Sequence, residues 1–328
     1  MARVPPNAPE AVSALALMES LQRHLVDSLG HADFVKVEWL RDGGRHGGGS
    51  RFACAETDLF DRASVNVSCV HYDDDPAKSL AAATALSTII HPRHPRASSL
   101  HLHTSFTQLR GGRGTWRLMA DLNPSHEDPV EKEHFEASLK RAAPAQYTAG
   151  RAQGDRYFFI PALGRTRGLT HFYLEDFSLG DFGAERAFVE RFAKTMIDTW
   201  CELLDTALAR YPAFSPQERE KQLAYHTLYL FQVLTLDRGT TSGLLVHDQN
   251  DLGVMGSLPS WVDRALLATW ESLVPKPQDE LVRSVLATLG AEHPSHVTDE
   301  VRLALARVVR AHYLAHPEAV ELQAARAR

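Results

Sequence analysis

The sequence has little cysteine: three residues in 328, Cys54, Cys69 and Cys201, widely spaced and with no CxxC pair. That excludes a disulfide framework and a cysteine-ligated structural zinc, and leaves three reduced thiols. No apolar run approaches the roughly 20 residues that cross a bilayer. The segment Met1 to Glu10 is proline-rich and lacks the apolar core of a signal peptide, so a cytoplasmic location is expected. Excess positive charge is missing too: 35 Lys and Arg face 41 Asp and Glu, a formal net charge of −6. A nucleic-acid partner needs a basic surface and is excluded, whereas a small acidic substrate needs only a local basic pocket. The chain has no Gly-x-Ser-x-Gly elbow, no HExxH and no dinucleotide fingerprint. Its glycine run at 43–49 lacks the Lys-Ser/Thr ending of a phosphate loop. Hydrolase and nicotinamide-dehydrogenase readings therefore have no support.

What is present is an ordinary soluble composition, 44% hydrophobic and 23% charged, with an excess of histidine. There are 17 histidines, and His91, His94, His101 and His103 fall within one short stretch. Leu15, Met18, Leu21, Leu25 and Leu29 share one face of a helix expected over about 11–29. The glycines of 43–51 read as a mobile loop. Strands are expected over 64–70, 88–90, 100–109 and 115–122, antiparallel neighbours joined by turn residues such as the hairpin 110–114. Helical character at 128–142 precedes two further strands, 156–160 and 170–174. Phe188, Phe192, Met196 and Trp200 then step by four along a helix over about 185–211, as core or dimer interface. Ser215-Pro216-Gln217-Glu218 is a capping box. Residues 227–236 fit strand or helix, and the chain is helical after Trp261. The sum is a single α+β domain, a sheet with helices packed around it.

Several phrases resemble signature stretches of the oxygen-dependent coproporphyrinogen III oxidases. Gly47-Gly48-Gly49-Ser50-Arg51 resembles that family's glycine run ending in Arg-Ser-Arg, and Ser64-Val65-Asn66-Val67-Ser68-Cys69-Val70-His71 its GVNFSHVHG strand. Ser87, His91-Pro92, Pro95 and His101 match SxxxHPxxPxxxxxH in register. Asp121-Leu122-Asn123-Pro124 is close to DLTP, and Arg167-Gly168 through Phe177 is similar to RGIGGLFFDDL. Asp237-Arg238-Gly239-Thr240 with Gly243-Leu244 repeats DRGTxxGL, and Ser257-Leu258-Pro259 repeats SLP. The resemblance covers about residues 10–270. It implies a large, flat, mainly antiparallel sheet sandwiched between helices over 1–270, with 271–328 as a helical C-terminal extension packed on it.

It also implies a homodimer that uses dioxygen as co-substrate, without an organic cofactor, on a small-molecule substrate. In the family, two propionate side chains of a reduced tetrapyrrole become vinyl groups with loss of carbon dioxide. Carried over by position, His101 is the proton donor and Asp121 the carboxylate facing the pyrrole nitrogens, a role suited to a fixed negative charge. Ser87 is a substrate contact, and His91 is a histidine assigned to a metal in some members.

The departures fall on carboxylate-reading positions. Where the family reads Asn-x-Arg after its histidine, this chain has His103 and Ser105, losing a guanidinium suited to bidentate carboxylate pairing. The family's GGR before SLP falls on about Asp248-Gln249-Asn250, and its three glycines before DLTP become Arg117-Leu118-Met119-Ala120. Further metal-assigned histidines fall on Ala162 and beside Glu136, with His134 two residues before. Ser87, His103, Ser105 and Asn250 are thus the expected substrate-binding positions, with Arg93, Arg96 or Arg117 available to replace the lost charge. His101 and His103, two apart on a strand, point to one face. With His91 and His171, and Glu175 as a carboxylate, they form the expected ligand set for a non-haem iron, copper or manganese ion. Alternatively His103 bonds a neighbouring strand and His101 alone moves protons. Two alternatives accompany the oxidase reading: a metal-dependent oxygenase acting on a different small molecule, and an inactive tetrapyrrole-binding protein. His94 is expected at the surface, and Asp237-Arg238 as an internal ion pair shaping a turn.

Overall fold

The computed structural model describes residues 2–30, 33–247 and 249–324, so Asp248 and the last four positions lie outside the described residues. Helix α1 (Pro9–Ser28) buries Leu17, Met18, Leu21 and Leu25, the stripe its spacing requires. A meander of six strands follows: β1 (Val35–Leu40), β2 (Gly47–Cys54), β3 (Phe60–His71), β4 (Leu80–Pro92), β5 (Ser99–Leu109) and β6 (Gly114–Asn123). Next come α2 (Pro129–Ala142), capped by the Asp128 carboxylate accepting from Val130 N–H, and α3 (Tyr147–Tyr157). A short ribbon, β7 (Phe159–Ile160) with β8 (Arg165–Thr166), leads into β9 (Thr170–Phe177) and α4 (Phe182–Arg210). The rest is mostly helical: α5 (Pro216–Thr235), α6 (Arg238–Val246), α7 (Asp251–Val254), β10 (Trp261–Val262), α8 (Arg264–Ala268), α9 (Gln278–Thr288), β11 (Ser295–His296) and α10 (Asp299–Ala315).

The seven long strands form one sheet in the order β1-β2-β3-β4-β5-β6-β9, antiparallel throughout. Side chains alternate between its faces. One face carries Val65, Val67, Leu86, Ile90, Leu100, Leu102, Phe106, Trp116, Leu118 and Leu122 into a core closed by α1 and α4. Phe188, Phe192, Met196 and Trp200 all lie in that core, so the aromatic ladder of α4 is structural. Each such large side chain contributes about 1.5–3 kcal/mol on burial. The opposite face is polar: Ser64, Asn66 and Ser68 on β3, Ser87 on β4, His101, His103 and Ser105 on β5, and Arg117 and Asp121 on β6. A second apolar cluster, built from α5, α6 and α8–α10, covers that side. The fold is thus the expected α+β sheet between helices.

Four expectations need correction. The glycine stretch is not a loop beyond His46: Gly47–Cys54 is strand β2, paired on both sides. Gly49 is required because a Cβ there would sit 2.6 Å from the Trp39 indole nitrogen. Residues 156–160 are split: Arg156 and Tyr157 end α3, Phe158 is its C-cap, and only Phe159–Ile160 are extended. Period-two reading missed α3 because its inner face is glycine, Gly150 and Gly154, pressed against β9. Residues 227–236 lie mostly in α5, whose capping box forms as expected. His94 is buried, not at the surface, its ring against Phe214. Asp237 is a helix cap, its carboxylate accepting from Thr240 N–H at the start of α6.

Candidate active site

Antiparallel register builds the polar face in rows. One row runs Ser64–Ile89–His101–Asp121–His171 across β3, β4, β5, β6 and β9. The next runs Arg51–Asn66–Ser87–His103–Met119–Tyr173. A third places Ser68, Ala85, Ser105 and Arg117 side by side. A cavity of about 330 Å³ opens over these rows, roofed by residues of α5, α6 and α7 such as Tyr229, Asp237, Ser242 and Val254. That size is at the lower end for pockets that hold small organic molecules.

Ser87, His101, His103, Ser105 and Arg117 line the cavity, as does Met119. Asp121 sits below it with no exposed surface. The expected substrate position Asn250 is not among the lining residues; its Oδ1 instead accepts from Arg51 at 3.5 Å. Arg93 and Arg96 are also elsewhere, donating to Thr57 O and to Glu218. Of the three candidate replacement cations, only Arg117 reaches the cavity.

The residue that organises the site is one to which the sequence assigned no role. Arg167 is fully buried. One terminal nitrogen donates to Gln232 Oε1 at 2.7 Å, and the other lies 2.9 Å from Asp121 Oδ2 and 2.8 Å from His101 Nδ1. The Phe158 and Tyr229 rings flank the guanidinium, 4.5 and 4.8 Å from its carbon. Its carbonyl accepts from His171 Nε2 at 2.5 Å, while His171 Nδ1 lies 2.9 Å from Asp155. The only advance signal was Arg167 heading a matched phrase.

Burial works against a charge on Asp121, but His101 and Arg167 outweigh it and hold the carboxyl well below the usual carboxylate range. Asn123 Nδ2 adds a donor to its Oδ2 at 2.6 Å. Asp121 Oδ1 is 3.0 Å from His101 Nδ1 but gains no properly directed hydrogen bond there. His101 Nδ1 thus lies within reach of both the Arg167 guanidinium and the Asp121 carboxylate. Because Nδ1 is occupied, Nε2 is the nitrogen left for a ligand in the cavity that His101 lines.

His103 has the opposite environment. Burial, with repulsion from Arg117 and His101, pushes its pKa down to about 3, so the ring is neutral near pH 7. Its Nε2 is buried with no partner, as are Asn66 Oδ1 and Arg117 Nε. An unmet buried donor or acceptor costs about 1–3 kcal/mol. All three belong to residues that line the cavity.

The expected metal-ligand set is not assembled. Among the described residues no group of three His, Cys, Asp or Glu side chains is placed to hold a metal ion. His91 has both ring nitrogens engaged, with Ser99 Oγ at 2.9 Å and Ser257 O at 3.1 Å. His171 spends both of its own on Arg167 O and Asp155. Glu175 is paired with Arg117 at 2.9 Å. Only His101 and His103 keep a cavity-facing pair of imidazoles.

The family description for coproporphyrinogen III oxidase matches residues 13–271. The chain is 26% identical over 299 residues to the mitochondrial oxygen-dependent coproporphyrinogen-III oxidase of Rattus norvegicus, covering 83% of this chain and 64% of the relative. The corresponding Homo sapiens protein is 25% identical over 290 residues, 81% and 61% of the two chains. The oxygen-dependent coproporphyrinogen-III oxidase of Rickettsia akari is 26% identical over 247 residues, 70% and 84%. The chain thus spans less than two thirds of the mammalian relatives' length and more of the bacterial one. With the family description matching residues 13–271, and four of the ordered phrases contributing residues to one cavity, the chain belongs to the coproporphyrinogen III oxidase family.

Proposed function

We propose that the chain is an oxygen-dependent oxidase that decarboxylates a carboxylate side chain of an electron-rich, N–H-bearing ring, as the names of its relatives suggest. The observation that carries this reading is the buried Arg167–Asp121–His101 network, with one imidazole nitrogen left for the cavity. The chemistry balances as one propionate, one dioxygen and one proton giving one vinyl group, one carbon dioxide and one hydrogen peroxide. Two electrons leave the side chain with carbon dioxide and reduce dioxygen. The protons that peroxide needs come from the side-chain carbon and from a donor, and His101 Nε2 is the group suited to transfer them. Asp121, kept ionised, stabilises the electron-poor ring that forms. Ser87 and Ser105 supply hydroxyls along the same floor.

No organic cofactor enters this reading. The metal-dependent alternative retains only the His101 and His103 pair, which is short of the three protein ligands such centres use. No described helix is long and apolar enough to cross a membrane. A homodimer is proposed on the resemblance, and light scattering of the purified chain checks it. The functional test is oxygen uptake with chemically reduced coproporphyrinogen III, alongside carbon dioxide release. Matched consumption and release support the reading, and a folded protein that does neither refutes it.

A further inference from the structure

The polar cavity contains one arginine or lysine among its described lining residues, Arg117. This side chain stands directly opposite Ser105 across the β5–β6 ladder. Ser105 offers a hydroxyl and no charge, so the positive charge of this row comes from β6. The Arg117 side chain is 38% exposed, with its head open to the cavity, and one terminal nitrogen is spent on Glu175. Its Nε is buried without a partner. A guanidinium has five N–H donors in a planar fork, so one contact leaves an edge suited to a carboxylate.

No lysine and no second arginine lines the cavity among the described residues. Asp237 is occupied by the Thr240 N–H and the Tyr157 hydroxyl, and His103 is neutral. Asn66, two strands from His103 in the same row, also lines the cavity, and its Oδ1 lacks a donor. The rows of Arg117 and His101 are four residues apart, about 14 Å along the strand. An extended arginine and a short acid side chain together span that distance.

Resting on the oxidase reading above, we infer that Arg117 is the carboxylate anchor of this cavity. The ligand it fits presents to Arg117 one carboxylate side chain of an N–H-bearing aromatic ring, with the ring edge toward His101. Glu175 positions the guanidinium and competes with the ligand for it.

The test uses indole-3-propionate and its methyl ester as probes, titrated into the full chain by calorimetry. This needs no turnover, so it succeeds or fails independently of oxygen uptake with coproporphyrinogen III. The wild type is expected to bind the acid at least tenfold more tightly than the ester. Arg117→Met is expected to reduce acid binding to the ester's level. Glu175→Gln, which keeps the shape and removes the competing charge, is expected to tighten the acid at least twofold and leave the ester unchanged. The double variant Arg117→Met/Glu175→Gln leaves neither charge unpaired, guards against misfolding, and is expected to lose the preference for the acid. No acid binding by the wild type, no preference for acid over ester, or a preference that survives in either Arg117→Met protein overturns the assignment.

Discussion

Replacing Arg167 with methionine removes the group on which three others depend. Asp121 loses its 2.9 Å donor while fully buried, Gln232 Oε1 loses its 2.7 Å donor, and His101 Nδ1 loses its guanidinium neighbour at 2.8 Å. Removing one partner of a buried ion pair costs about 3–5 kcal/mol, because it leaves a buried charge uncompensated. An orphaned amide oxygen carries a further cost of about 1–3 kcal/mol. The two overlap, and about 4 kcal/mol is the expected loss, close to a thousandfold in the folding equilibrium. Urea unfolding followed by far-ultraviolet circular dichroism measures it. The double variant Arg167→Met/Asp121→Asn removes both charges and is expected to regain at least half of the loss, the signature of direct coupling. A single variant within about 1 kcal/mol of the wild type, or a double variant no more stable than the single, refutes the ion-pair account.

His101→Gln keeps bulk and polarity but cannot carry a proton through the ring, so turnover is expected to fall by about 10²–10⁴ while the melting temperature stays close to wild type. Equal turnover would reject the proton role. His91 and His226 are held neutral by burial, each with its pKa lowered to about 3 from 6.5. The unfolded chain therefore takes up their protons first, and stability is full above about pH 6.5 and lost as pH falls toward 3. The loss is up to about 1.4 kcal/mol per pH unit for each ring. Urea midpoints at two pH values should show a shallower slope for His226→Gln, and an unchanged slope contradicts this. Gly154→Ala places a Cβ 2.7 Å from the His171 Cβ. Overpacking of about 1–3 kcal/mol is expected, with a matching drop in melting temperature, and a variant as stable as wild type counts against that contact.

Much of the architecture was legible because periodicity reports which face is buried. The stripe of α1, the aromatic ladder of α4 and the Ser215/Glu218 box all sit where their spacing placed them. What escaped was set by partners distant in sequence. Strand β2 is glycine-rich because Trp39 and the Val67 carbonyl press on it, a reason that no local pattern carries. Helix α3 has glycines where a core face would show leucines. In the site, alternation along β5 put His101, His103 and Ser105 on one face, and the cavity is there. His91 was grouped with them by the resemblance and His171 by its place on a strand, yet each spends its ring on hydrogen bonds that hold neighbouring segments. Arg167 could not be singled out, because its role depends on Asp121, His101 and Gln232 meeting across separations of 46, 66 and 65 residues.

The measurement closest to the central claim is oxygen uptake by the folded wild type and His101→Gln proteins, supplied with coproporphyrinogen III prepared without oxygen. The account predicts uptake by the wild type matched by carbon dioxide, with both lost in the variant. Uptake that is undiminished in His101→Gln, or absent from a well-folded wild type, contradicts it.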